Sequence, residues 1–319
     1  MQRPLGTFLM LLTLFSVYKA SSQGCSDAGF CTMGAMRPDQ SYSKRIVPRL
    51  RAIELNFYRG KSLLTPVIYV ATRDATIGLN AKNYIQVKVP DQYAEGSLGS
   101  VGGMGDISLS FTHVLKSTAD WNLSGTIGGK IPMGDGNETV NNAFTGGEDA
   151  PIHMYYQPSQ GSYDLVGGLS WINENWLLAT GIQIPLTRNN NQFLWSDFPD
   201  YPNQDYLRKY NTGPELLRGT DIMLRVERNF RFTNFNFSLG LLPIYRISRD
   251  NTIVPGEGEF RDREGTTGMA LSALASFGYQ FDVNNSIKII HGHRLADRDF
   301  NPDGLTRKSV WSTSYIYKF

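Results

Sequence analysis

The sequence predicts an all-β chain, a transmembrane antiparallel up-and-down β-barrel of about twelve strands. Three observations carry that expectation: period-two hydrophobic alternation along most of the chain, connections that alternate between short and long, and a C-terminal strand that ends on an aromatic ring.

The alternation is plainest in 267–281, "TGMALSALASFGYQF". Met269, Leu271, Ala273, Ala275, Phe277, Tyr279 and Phe281 share one parity, and small or polar residues take the other. In a strand, successive side chains point to opposite faces, so this pattern separates an apolar face from a small-polar one. The same split marks 105–115, 121–133, 219–230, 234–248 and 307–319, with further candidates at 51–58, 64–72, 82–89, 162–172, 175–187 and 285–294. A soluble β-sandwich also alternates. These segments are long, however, about 10–14 residues in many cases, which suits a tilted crossing of a bilayer. The links at 117–120, 172–175, 230–233 and 282–285 are tight, whereas 133–160, 188–218, 248–266 and 295–306 are long. Bacterial barrels show that asymmetry between their periplasmic and outer ends. Trp121, Trp171, Trp176, Phe230, Tyr279 and Phe281 sit at strand ends, where interface girdles form. The first three strands are the least regular: Pro66 and "TRDATIGLN" interrupt the pattern, placing a short outer turn at 58–62 and an inner one near 73–81.

The ending "SVWSTSYIYKF" puts Trp311, Tyr315, Tyr317 and Phe319 on one face. This resembles the C-terminal signature of bacterial outer-membrane barrels, which implies recognition by the barrel-assembly machinery. The expected location is the outer membrane of a Gram-negative bacterium, among its lipid and lipopolysaccharide, with both termini periplasmic.

Composition agrees. The 319 residues carry 31 basic and 29 acidic side chains, a net charge of +2 that gives no electrostatic case for nucleic acid. Mean hydropathy is −0.28, which excludes a bundle of membrane helices. The start has a basic opening, a short apolar stretch and a small-residue exit. It reads as a signal peptide over 1–22, with cleavage extending to 24 as the alternative. Residues 23–48 form a polar N-terminal segment, either a lumen plug or a disordered tail, ahead of a barrel over 49–319. Cys25 and Cys31 are the candidate disulfide, and a lipidated Cys25 is the rival.

Charged residues of inward parity are the candidate lumen lining: Asp106, Lys130, Asp164, Arg225, Glu227, Arg246 and Lys288, with Arg294 beside them. Their mixed signs suggest a self-neutralising interior rather than a strong ion filter. Asp106 and Lys130 lie on neighbouring hairpin strands and are placed to pair. In the longest loop, Trp195 and Phe198 are candidate contacts for an apolar ligand. The spacing of His291 and His293 can bind metal, but no third ligand cluster accompanies it, and no metal site, cofactor or catalytic motif is expected.

Residues 83–134 carry more specific motifs. "NYIQVKVP" ends in Pro90, a Gly-rich stretch leads into "GGMGD" (102–106), and "KIPMG" (130–134) closes a strand. This run resembles the outer-membrane family named for the meta-pathway of phenol degradation, although that family more often has Pro-Thr-Gly at the last motif. The resemblance implies a channel for small, often hydrophobic or aromatic, organic solutes and no enzymatic activity. The rival is a non-conducting barrel that serves as an anchor, adhesin or secretion-system subunit.

Overall fold

In the computed structural model, residues 49–61, 67–208, 214–253, 258–303 and 307–319 are described. The signal peptide and the 23–48 segment with Cys25 and Cys31 lie outside these residues. β1 stays paired on both sides through Lys61, so 58–61 are strand and not the outer turn expected at 58–62.

The long strands are β1 (Arg49–Lys61), β2 (Val67–Gly78), β3 (Asn83–Gly96), β4 (Gly99–Met104), β5 (Ile107–Ser117), β6 (Trp121–Ile131), β9 (Asp164–Asn173), β10 (Trp176–Pro185), β11 (Asp221–Arg231), β12 (Phe235–Arg246), β15 (Gly268–Gln280), β16 (Asn285–Ala296) and β17 (Ser309–Lys318). Two small hairpins, β7–β8 (Thr139–Val140, Ala150–Pro151) and β13–β14 (Asn251–Ile253, Phe260–Asp262), stand in the long connections. The long strands make one 13-stranded sheet that closes on itself, because β2 pairs with both β1 and β3. β4 and β5 both pair with β3 and together form a single stave, so the ring has twelve. The last pairing, β1 with β17, runs from Ala52↔Lys318 to Lys61↔Ser309 and leaves no open edge.

Outward residues are apolar and exposed at mid-strand, such as Leu239 and Leu241 on β12 and Leu169 on β9. At the short-turn end they become aromatic. Phe232 stacks on Phe235 at 4.3 Å, and Tyr317 meets Phe319 edge-on at 4.8 Å. Trp311, Tyr315, Tyr317 and Phe319 all face outward, while Ser312 and Ser314 are buried inside. Asn56 donates to both serine hydroxyls, at 2.6 and 2.7 Å, across the closing pair.

The structure corrects the first hairpins. β2 does not stop near 73 but runs to Gly78, because "TRDATIG" keeps its alternation with polar residues inward: Thr72 and Asp74 are buried, and Arg73 faces out to Asp91 at 2.9 Å. β3 does not end at Pro90 but continues to Gly96, and the Gly-rich stretch is strand β4 rather than a loop. Pro90 is tolerated because it sits at a bulge. Lys88 pairs with Ser108 and Asp91 with Met104, so the opposing stave carries an extra residue there, and Gly105 N–H donates to the Pro90 carbonyl at 2.9 Å. Pro132 follows the end of β6 as the motif implied.

Leu241→Arg places a charge on the lipid face near mid-strand. Urea unfolding in lipid vesicles is expected to show a loss of about 2–4 kcal/mol.

Candidate functional site: the barrel interior and its loop closure

Three layers fill the interior above a vestibule at the short-turn end. The vestibule has a volume of about 380 Å³ and is lined from turn residues such as Asn284 up to Asp74 and Leu177. Above it is a belt of inward side chains. On one side Leu177, Ala179, Met223, Leu242 and Leu274 form a buried apolar cluster, with Ile172 and Ile244 packed on it. Arg225 Nε donates to Glu227 at 2.6 Å within this belt. Room for the pair comes from Gly240, where a Cβ would lie 2.5 Å from Glu227 Cγ. Opposite the apolar cluster, Lys88 meets Asp74 at 2.8 Å and Gln86 donates to the same carboxylate at 2.7 Å.

The second layer is a ring of buried charge at the long-loop end. Register builds it. Lys130 faces Asp164 across β6 and β9, and Asp221 faces Arg246 across β11 and β12. Arg246, fully buried, is the centre. Its guanidinium donates to Asp221 at 2.9 and 2.7 Å, to Asp250 at 2.8 and 2.9 Å and to Asp303 at 2.7 Å. Arg298 donates to Asp221 at 3.1 Å. Asp164 is held by Arg218 and Gln183, with Lys130 at 3.9 Å. Five donors in a fixed fork let one arginine satisfy three carboxylates, and burial makes each of those bonds matter.

Each long connection is fastened to this ring. From 132–163, Ser159 Oγ and Gln160 N–H donate to Asp106 at 2.7 and 3.1 Å. From 186–220, Arg218 reaches Asp164, and Gly219 N–H donates to Asp250 at 2.6 Å. Gly219 admits that approach because a Cβ would sit 2.1 Å from the Ser248 carbonyl. From 247–267 comes Asp250, and from 297–308 come Arg298 and Asp303.

Over the ring the loops share an apolar core. Ile152, Tyr156, Phe193, Phe198 and Leu207 pack with Ile68, Ala94, Leu98 and Val101 of β2 through β4. His153 lies edge-on to Tyr155, Tyr156 and Phe193, at 4.9–5.4 Å. Burial drives its pKa down to about 3, so the imidazole is neutral. Helix α1 (Gln204–Arg208) lies in the same cap, and the guanidinium of Arg208 sits 4.6 Å over the Trp195 ring.

The sequence-selected residues therefore divide. Asp106, Lys130, Asp164 and Arg246 meet in the charged ring and Arg225 with Glu227 in the belt, while Lys288 lines the vestibule. Lys130 reaches Asp164, and Asp106 takes its hydrogen bonds from the 132–163 loop. Phe198 is fully buried in the cap, and Trp195 is half-buried. Arg294 pairs with Asp297. His291 lies against the outward Trp311 ring at 4.2 Å, with His293 6.4 Å away. Among the described residues, no group of three or more His, Cys, Asp or Glu is arranged to hold a metal. Sequence reasoning missed Arg218, Asp221, Asp250, Arg298 and Asp303 as members of the site. Asp221 carried a signal, since it shares the inward parity and its hairpin partner is Arg246; the loop residues had no period to reveal them.

The fold is a closed, antiparallel twelve-stave β-barrel, an architecture found in bacterial outer-membrane proteins. No family model and no curated protein sequence matches the chain. Among solved structures it is similar to an outer membrane channel from Pseudomonas putida F1, at 12% identity and a TM-score of 0.53, covering 89% of this chain and 99% of that one. More remote are the NanC porin (8%, TM-score 0.46, 85% and 100%) and the CymD monoaromatic hydrocarbon channel (10%, TM-score 0.39, 94% and 94%). At these identities the likeness is one of fold.

Two outcomes follow for the closure. Arg246→Met leaves three carboxylates facing each other, so a stability loss of about 3–5 kcal/mol is expected in urea unfolding, with faster amide exchange in 247–267 and 297–308. Burial, with Asp303 beside it, pushes Asp250 up to about 6 although Arg246 pulls the other way. That value lies above the 3.8 of a carboxylate in water, so the fastened loop holds the proton more tightly than a released one. This contribution to fastening is complete below the free value of 3.8 and is lost as pH rises from there through about 6. Exchange in 247–267, corrected for intrinsic rates, is expected to be slower at pH 5 than at pH 7.5, and Asp250→Asn should flatten the difference.

Proposed function

We propose that this protein is an outer-membrane channel for small organic solutes, a non-enzymatic barrel held shut by its own loops in the state described. The observation that carries this reading is the closure itself. Four separate connections are fastened by side-chain contacts to one ring of charge, above a vestibule that already opens at the other end. A barrel built only to be filled has no need of so many reversible fastenings. Twelve staves also lie between eight, which side chains fill, and sixteen, which leave an aqueous pore. The fold likeness to the Pseudomonas putida F1 channel supports the reading.

In this reading the short-turn end and both termini face the periplasm, the aromatic ending serves assembly, and the cap meets solute first. Trp195, half-buried at the cap surface, is then the first apolar contact, with Phe198 as its support from beneath. Residues 23–48 remain a candidate second plug from the periplasmic side.

A second reading has its own observation. Arg246, Met223 and Leu242 are almost wholly buried, so the interior above the vestibule is packed, as expected of a non-conducting anchor or partner-binding barrel.

Planar-bilayer recording separates the two. The wild type is expected to show rare, brief openings, and Asp303→Ala together with Arg298→Ala should raise open probability about tenfold, equivalent to about 1.4 kcal/mol. Folded variants as silent as the wild type would support the non-conducting barrel.

A further inference from the structure

The outward rows of the barrel are apolar at mid-strand. Outward cations near the short turns lie on girdle rings, Lys116 5.2 Å over Trp121 and Arg228 5.1 Å over Trp176. Arg73 departs from this. It stands at the middle of β2, five residues from Gly78 and six from Val67. It faces outward between Leu55 and Val89, its apolar register partners on β1 and β3. One nitrogen of its guanidinium meets one oxygen of Asp91 on β3 at 2.9 Å, yet the Arg73 side chain is still 65% exposed. On this wall the exposure is to hydrocarbon. An ion pair lowers the cost of a charge at that depth without removing it, because the remaining N–H groups and the second carboxylate oxygen find no water there. Directly across the ring, six staves away on β11, the outward row is Ile222, Leu224 and Val226. The polar pair is a feature of one face.

Such a pair is best accommodated where something polar covers it. A lipid phosphate would be held by Arg73 but repelled by Asp91, and headgroups lie at strand ends. A surface carrying the same two charges satisfies both. Arg73 and Asp91 touch, so their charged groups stand at one height in the membrane. A twofold axis along the membrane normal beside them sets Arg73 of each copy against Asp91 of the other, an isologous contact. The next outward residues along β2 on either side of Arg73 are Ala71 and Ala75. They are small enough to let two staves approach, as small residues do at contacts within membranes.

We propose that this protein pairs with a second copy of itself in the membrane through β2 and β3, with Arg73 and Asp91 of both copies joined in a ring of four alternating charges. The contact is on the lipid-facing wall and stands whether or not the barrel conducts.

Subunit counting by single-molecule photobleaching tests this, with the whole protein labelled at its amino terminus and diluted stepwise in lipid vesicles. Heat-modifiable migration confirms that each variant is folded. The wild type is expected to bleach in two steps. Arg73→Asp makes a face with two carboxylates and Asp91→Arg a face with two guanidinium groups, so each alone should lose association by about tenfold or more. Labelled in different colours and mixed, these two variants should pair with each other. Arg73→Leu together with Asp91→Val suits lipid, so this variant should fold even where a charge reversal does not, and it should stay monomeric. Leu224→Ser, across the ring, should leave the dimer as it is. A wild type that bleaches in one step at every dilution overturns the proposal. So does a dimer that survives Arg73→Leu with Asp91→Val, a dimer broken as strongly by Leu224→Ser, or folded charge-reversed variants that do not recombine.

Discussion

The pairing of β1 with β17 is the constraint on which the rest of the structure depends. In lipid an unpaired strand edge has no water to satisfy it, so a spanning sheet must close or not exist. Closure fixes which parity faces out, and that parity decides the fate of every alternating residue. Leu241 goes to lipid and Leu242 into the belt by a difference of one position. It also gives the barrel an inside that water does not flush, so polar residues there must satisfy one another. Asn56 bridging Ser312 and Ser314 across the seam is the smallest example.

The charged ring is the largest. Burying Arg246 alone would be prohibitive, and a single carboxylate would leave most of its donors unused. Three aspartates from the wall and two loops meet that demand, so the energy that makes the arginine tolerable also fixes the loops. The interior electrostatics and the cap are therefore one structure. A change at Asp303, in a loop, is felt at Asp221 on the wall through the shared guanidinium.

Much of this was legible in the sequence because a strand writes its environment every second residue. Twelve staves, the outward aromatic ending and the inward charges of Asp164, Arg225 and Arg246 follow from parity alone. The errors fell where parity is uninformative. "TRDATIG" was read as a break because its inward residues are polar, although a buried Asp74 is acceptable once Lys88 stands opposite. Pro90 was read as a strand end because the extra residue in the opposing stave, which removes the need for its missing N–H, leaves no mark on β3 itself. Asp250, Arg298 and Asp303 lie in loops, where the contact comes from tertiary folding and not from period. Phe198, expected as a ligand contact in the longest loop, is buried in the cap by the same tertiary folding.

The β3–β4 hairpin raises one side of the barrel above the ring, and its Ala94, Leu98 and Val101 carry the apolar half of the cap. The ionic half is anchored across the lumen, on β11 and β12. The cap thus has a greasy hinge on one flank and an electrostatic catch on the other. A change of pH acts on the catch and leaves the apolar flank untouched, whereas salt, which screens buried pairs little, acts weakly on both. Loss of the ionic contacts alone would leave the apolar half of the cap still packed on β2 through β4.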